Sequence, residues 1–189
     1  MAQVSKWYND AVWSVDGVRS MKAKIKAAKP DYPFELLYMV AFYGNVPAVR
    51  ALLKSGVDVN TDLFDDFTPL HCASHQGHMP LVKALIEAGA DVKKKDKHGY
   101  TSLHQAAIKR HAPVITELIK AGADVNATDD YGSAPLHYAV QGGDEDCVAL
   151  LLAHGVDVHK ANDGGRTPMT YAVYHMNKKI IEMLKQAGG

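Results

Sequence analysis

The chain has 189 residues, with 21 Lys and Arg balanced by 21 Asp and Glu, 47% apolar residues and 22% charged ones, a composition of globular rather than disordered chains. Zero formal net charge lacks the basic footprint that nucleic acid or an anionic membrane surface demands, and no apolar run reaches the ~18–20 residues that span a bilayer. Asp10 and Asp16 interrupt any apolar core of a secretory signal, while two cysteines, Cys72 and Cys147, suit a reducing cytoplasmic or nuclear setting better than a disulfide scaffold.

Residues 1–33 form an N-terminal extension of their own character, expected to be helical. Val4, Trp7, Tyr8, Ala11, Val15 and Val18 share one stripe at helical spacing, and Trp13 falls off it. Asp16-Gly17 marks a break, Lys22, Lys24, Lys26 and Lys29 crowd the next stretch, and Pro30 and Pro33 are expected to end it. With Lys6 and Arg19 against Asp10 and Asp16, the first 30 residues carry about +4. Three readings stay open: a helical cap that buries the stripe against the next unit, a basic segment anchored by Trp13 on a membrane or acidic partner, or a flexible tail.

From residue 34 onward the chain repeats itself, which decides its architecture. Thr68-Pro69-Leu70-His71 recurs as Thr101-Ser102-Leu103-His104, Ala134-Pro135-Leu136-His137 and Thr167-Pro168-Met169-Thr170, each 33 residues after the last. A second series keeps the same period: Gly56-Val57-Asp58-Val59, Gly89-Ala90-Asp91-Val92, Gly122-Ala123-Asp124-Val125 and Gly155-Val156-Asp157-Val158. The units are 34–62, 63–95, 96–128, 129–161 and 162–189. Each reads as helix, turn, helix, loop. A Thr before Pro or Ser caps the first short helix, and Ala73, Ala106, Ala139 and Ala172 leave room for close packing. A turn follows near Gly44, Gly77 or Gly143, and apolar pairs such as Leu81, Val82, Leu85, Ile86 predict an amphipathic second helix. The glycine of the second series then ends it in a left-handed conformation. The terminal units deviate: Glu35-Leu36-Leu37-Tyr38 replaces the capping motif in the first, and Lys185 replaces Leu53, Ile86, Ile119 and Leu152 in the last, as a solvent-facing end requires.

His71, Cys72, His75 and His78 fall within eight residues, and a pair of histidines four apart can chelate on a helix. Against this, His71, His104 and His137 occupy one repeated position, and stacked units ~10 Å apart cannot share one ion through ~2 Å bonds. Cys72 and Cys147 lie more than two units apart and read as core residues. No Gly-rich phosphate loop, nucleophile elbow or paired-carboxylate motif appears, so no catalytic residue, metal or cofactor is expected.

The Thr-Pro-Leu-His and Gly-Ala-Asp-Val-Asn motifs at a 33-residue period resemble the ankyrin repeat over residues 34–189. The resemblance implies an all-α solenoid of five helix-turn-helix-loop units, here with an N-terminal helical cap, and a histidine that bonds between neighbouring loops. It implies a non-catalytic module that binds a partner protein on its concave face, monomeric unless the extension pairs two copies. Carried over position by position, the loop tips supply Phe64, Asp65, Phe67, Lys97, His98, Tyr100, Asp130, Tyr131, Ser133 and Arg166. The first helices supply Phe42, Tyr43, His75, Gln76, Ile108, Lys109, Gln141, Tyr174 and His175. Phe42, Phe64, Tyr100, Tyr131 and Tyr174 stand at the centre of this surface, although loop-tip packing is the alternative for Phe67 and Phe34. Asn60 and Asn126 resemble the asparagines hydroxylated in such repeats, against the plainer reading that they stabilise a turn. After residue 30 the chain carries 15 basic and 19 acidic residues, so its neutrality is a cancellation between the two parts.

Overall fold

The computed structural model describes residues 32–188, with side chains from residue 36. The expected extension with its Trp7 stripe and Trp13, and the side chain of Phe34, lie outside the described residues. Ten helices follow in chain order: α1 (Tyr32–Phe42), α2 (Val46–Lys54), α3 (Pro69–Gln76), α4 (Met79–Glu87), α5 (Ser102–Ile108), α6 (Ala112–Lys120), α7 (Pro135–Gly142), α8 (Glu145–Ala153), α9 (Pro168–Tyr174) and α10 (Lys178–Gln186). Pro33 sits in the first turn of α1, where a missing N–H breaks no helical bond. Each unit contributes one pair, and odd-numbered helices stack on odd, even on even. The result is two helical layers, and among the described residues none of these helices is long and apolar enough to cross a membrane.

The core runs between units rather than at one centre. Ala73, Ala106, Ala139 and Ala172 are fully buried in the odd layer, where an inner helix touches a neighbour on each side. The even helices bury one face, for example Leu81, Val82 and Leu85 in α4 and Val114, Ile115 and Leu118 in α6. Their outer faces carry ion pairs between neighbours, Arg50–Glu87 at 2.8 Å and Lys83–Glu117 at 3.7 Å, worth little at this exposure. Lys185 is exposed where Leu53, Ile86, Ile119 and Leu152 are half-buried.

The repeated histidine ties each unit to the next. His71 Nδ1 accepts the Thr68 backbone N–H at 3.1 Å, which leaves Nε2 to donate to the Tyr100 carbonyl at 3.0 Å. His104 does the same between Thr101 (3.1 Å) and the Ser133 carbonyl (3.1 Å), and His137 between Ala134 (3.0 Å) and the Arg166 carbonyl (3.2 Å). All three imidazoles are buried, and that burial lowers their affinity for a proton, to a pKa of about 4 at His104. In the last unit Thr170 caps Thr167 locally at 3.3 Å. In the first, Tyr38 stands at the histidine position and meets Phe64 of the next tip edge-on, with centroids 5.4 Å apart.

A second bridge runs backward. His78 Nε2 donates to the Phe42 carbonyl at 2.8 Å, and His111 Nε2 to the His75 carbonyl at 3.1 Å. These rings lie flat against the turn before them: a Cβ on Gly77 would come within 2.6 Å of the His111 ring, at a backbone φ of 75°. Arg110 holds the same left-handed position at φ 62°, and there the next unit has Asp144 instead of histidine.

Between the ordinary histidine pKa near 6.5 and about 4, the unfolded chain binds more protons than the folded one. Stability is therefore full above pH 6.5 and falls as the pH is lowered through that window. His104 alone is expected to remove on the order of 3 kcal/mol by pH 4, measured by urea unfolding at stepped pH. His104→Gln should flatten part of this slope while lowering stability at pH 7. In the same assay Gly155→Ala, at a left-handed glycine with open space around it, should cost about 1 kcal/mol, and Gly77→Ala distinctly more. Equal losses would contradict the close packing of the His111 ring.

Candidate protein-binding face

The loop tips are built by side-chain carboxylates and one amide that take the place of backbone partners. Asp96 Oδ1 accepts the N–H groups of His98 and Tyr100, and Asp129 Oδ1 those of Tyr131 and Ser133, all at 2.9 Å. Asn162 Oδ1 does this for Gly164 and Arg166 at 3.1 and 3.0 Å. Successive tips then bond edge to edge: Lys97 N–H to the Asp65 carbonyl (2.9 Å), Asp130 to His98 (3.0 Å), Asp163 to Tyr131 (2.9 Å). The approach is so close that a Cβ on Gly99 would lie 2.6 Å from Asp130 Oδ1. Leu63 replaces the capping aspartate in the first tip. There the chain closes a tight hairpin between Phe64 and Phe67, with Asp65 and Asp66 at φ 54° and 61°.

Aromatic rings line this row of tips and the helices beside it. At the N-terminal end Phe64 stacks on Phe67 (5.0 Å), Phe67 on His71 (5.3 Å), and Tyr38 reaches Phe42 (5.8 Å), which meets Tyr43 (5.1 Å). Toward the other end Tyr138 donates its hydroxyl to Asp129 Oδ2 and lies 3.1 Å from the Tyr100 hydroxyl. Asp129 is only 5% exposed, so two N–H groups and a phenol stand in for the water it has lost. Burial and then the bond to Asp129 push the Tyr138 phenol far above its ordinary pKa, so it stays protonated as the donor. Tyr131, Ser133, Tyr138, Asn162, Asp163 and Tyr171 line a pocket of about 310 Å³ between the fourth and fifth units.

The family description of ankyrin repeats, in three copies, matches residues 36–129 and 114–189, most of the chain and all of the helical stack beyond the first residues of α1. The chain belongs to the ankyrin-repeat family. Ankyrin repeats typically serve as non-catalytic modules that mediate protein–protein interactions. Set against the curated proteins, the chain has no match.

On this ankyrin stack the residues named from the sequence divide by exposure. Phe64, Asp65, Lys97, His98, Lys109, Asp130, Tyr131, Gln141, Arg166, Tyr174 and His175 are exposed. Phe42, Tyr43, Phe67, His75, Gln76, Tyr100 and Ile108 are half-buried, and several are held by neighbours. His75 Nδ1 bonds Gln105 Oε1 at 3.0 Å, Arg166 lies over the Tyr171 ring at 6.0 Å, and Lys97 pairs with Asp65. Ser133 is buried under the fourth tip. Asn60 and Asn126 accept the N–H of Asp91 and Asp157 of the following unit, each at 2.8 Å. His71 and His78 have committed nitrogens to carbonyls, and among the described residues no group of three or more His, Cys, Asp or Glu is placed to hold a metal ion. Cys72 and Cys147 are free and buried, and burial pushes the Cys72 thiol up to about 12, far from a reactive thiolate.

Tyr138, Tyr171, Asp129 and Asn162 belong to this face and do not appear among the sequence-derived site residues. Their signal was present at one repeated position, where Met39, Cys72 and Gln105 give way to Tyr138 and Tyr171. Tyr138→Phe should cost about 1–2 kcal/mol, because Asp129 keeps its charge and loses a donor. Amide hydrogen exchange at Tyr131 and Ser133 should rise while the helical circular dichroism stays unchanged. Unaltered exchange at both amides would show that the phenol does not hold the tip.

Proposed function

We propose that this ankyrin stack is a non-catalytic recognition module that binds a partner protein along its concave face, formed by the loop tips and the odd-numbered helices. The observation that carries the reading is aromatic exposure: Phe64 is 47% exposed, Tyr131 61% and Tyr174 80%. Rings left in water at spaced points along one face are the residues that anchor interfaces once covered. The even helices offer exposed charged pairs instead, a solvated surface. Tyr100 and Phe67 act here as supports of the tips, and Tyr131 and Tyr174 as the contacts. Asn60 and Asn126 are held in the proposal as hydroxylation positions outside the contact row.

The test places a photo-crosslinking residue at Tyr131, at Tyr174 and, as a control on the even layer, at Lys120. The same partner should be captured from the first two positions and not from the third. A folded Tyr131→Ala/Tyr174→Ala variant should lose about tenfold or more in affinity for it. Capture from Lys120 alone, or undiminished affinity in the double variant, would refute the concave-face reading. Affinity that survives the double variant and is lost in Trp13→Ala would move the contact to the basic N-terminal segment.

A further inference from the structure

The groove between neighbouring odd helices is closed by polar bonds in the middle of the stack. His75 bonds Gln105, and Gln105 Nε2 donates to Asp96 Oδ2 at 3.4 Å. One unit further on, the Gln105 position is Tyr138, and then Tyr171. Both are half-buried and turn their hydroxyls to fixed partners, Tyr138 to Asp129 and Tyr171 to Asn162 Nδ2 at 3.2 Å. The rings are thereby locked, and with Tyr131 from the tip they wall the pocket of about 310 Å³.

We infer that this pocket receives an arginine side chain of the bound partner, its guanidinium placed among the rings of Tyr131, Tyr138 and Tyr171 beside the Asp163 carboxylate. Tyrosine faces attract a cation through their quadrupole. Arginine is the cation that also stacks flat and offers a fork of donors to a carboxylate. The chain already makes one such contact, Arg166 over Tyr171 at 6.0 Å, and Arg166 is not among the residues that line the pocket. Of the charged groups at the pocket, Asp163 lines it and Asp129 lies behind Tyr138, and these two carboxylates outweigh the Arg166 guanidinium over Tyr171. His137, which also lines it, has its proton affinity lowered by burial, which outweighs the opposite pull of its bond to the Arg166 carbonyl, so at neutral pH it does not oppose a cation. The inference rests on the concave-face reading and adds the chemistry of the partner.

The probe is N-acetyl-arginine N-methylamide, titrated into the full chain and followed by NMR at the tyrosine ring and backbone resonances. Saturable shifts should centre on Tyr131, Tyr138, Tyr171 and Asp163. The neutral citrulline analogue should bind at least about fivefold more weakly, and Tyr131→Ala should weaken the arginine probe about two- to fivefold. Asp163→Asn, an exposed substitution whose fold is checked in the same spectra, should weaken it as well. Equal binding of citrulline, equal binding of the lysine analogue, shifts scattered away from the pocket, or no shift at all would each overturn the assignment. If the probe fails while Tyr131 and Tyr174 still crosslink a partner, the concave face stands and the guanidinium site falls. If crosslinking fails while the probe titrates in the pocket, the pocket takes a guanidinium but the concave-face reading falls, and with it the assignment to a partner's arginine.

Discussion

A neutral imidazole, buried once in each central unit, is the constraint on which the rest of the stack depends. Its two nitrogens do opposite things: Nδ1 accepts the N–H that opens its own helix, and Nε2 donates to the last carbonyl of the next loop tip. Either partner missing would leave a buried polar group unpaired, at a penalty larger than the bond is worth when made. Both ends are met only when the next unit arrives in register. The period of 33 residues is thus enforced chemically as well as by the shape of the apolar layers. In the first and last units the imidazole is absent: Tyr38 makes an aromatic contact with Phe64 of the following unit, and Thr170 a local cap.

The same bridge reaches the proposed binding face. The carbonyls it engages belong to Tyr100, Ser133 and Arg166, each the last tip residue before a helix opens. With that end fixed, Asp96, Asp129 and Asn162 close the tip from the other side, and the tips bond to one another in a row. A rigid row is what lets Tyr131 stand in solvent without collapsing onto the stack, and preorganised side chains lose less freedom on binding.

Much of the fold could be read from the sequence because it depends on spacing. The Thr-Pro-Leu-His beat located the odd helices and their caps, and the glycine beat located the ends of the even ones. What spacing does not carry is the partner of a side chain one unit away. Tyr100 reads as a free loop tyrosine, yet its hydroxyl meets Tyr138, 38 residues on. Tyr138 and Tyr171 sit at a position that is plain core at Cys72, so averaging over units hides them. The first tip departs for a local reason: without an aspartate at Leu63, the turn is made by two aspartates in the left-handed region. Arg110 likewise occupies a glycine position, made tolerable because Asp144 replaces the ring that would press on it.

The most direct test of the account is the protonation state of His71, His104 and His137, read by long-range nitrogen–proton NMR correlations across a pH series. All three are expected to carry the proton on Nε2 at neutral pH and to titrate below the ordinary histidine value, His104 near pH 4. A proton on Nδ1, or titration at the ordinary histidine value, would contradict the bridge and with it the ordering of the face.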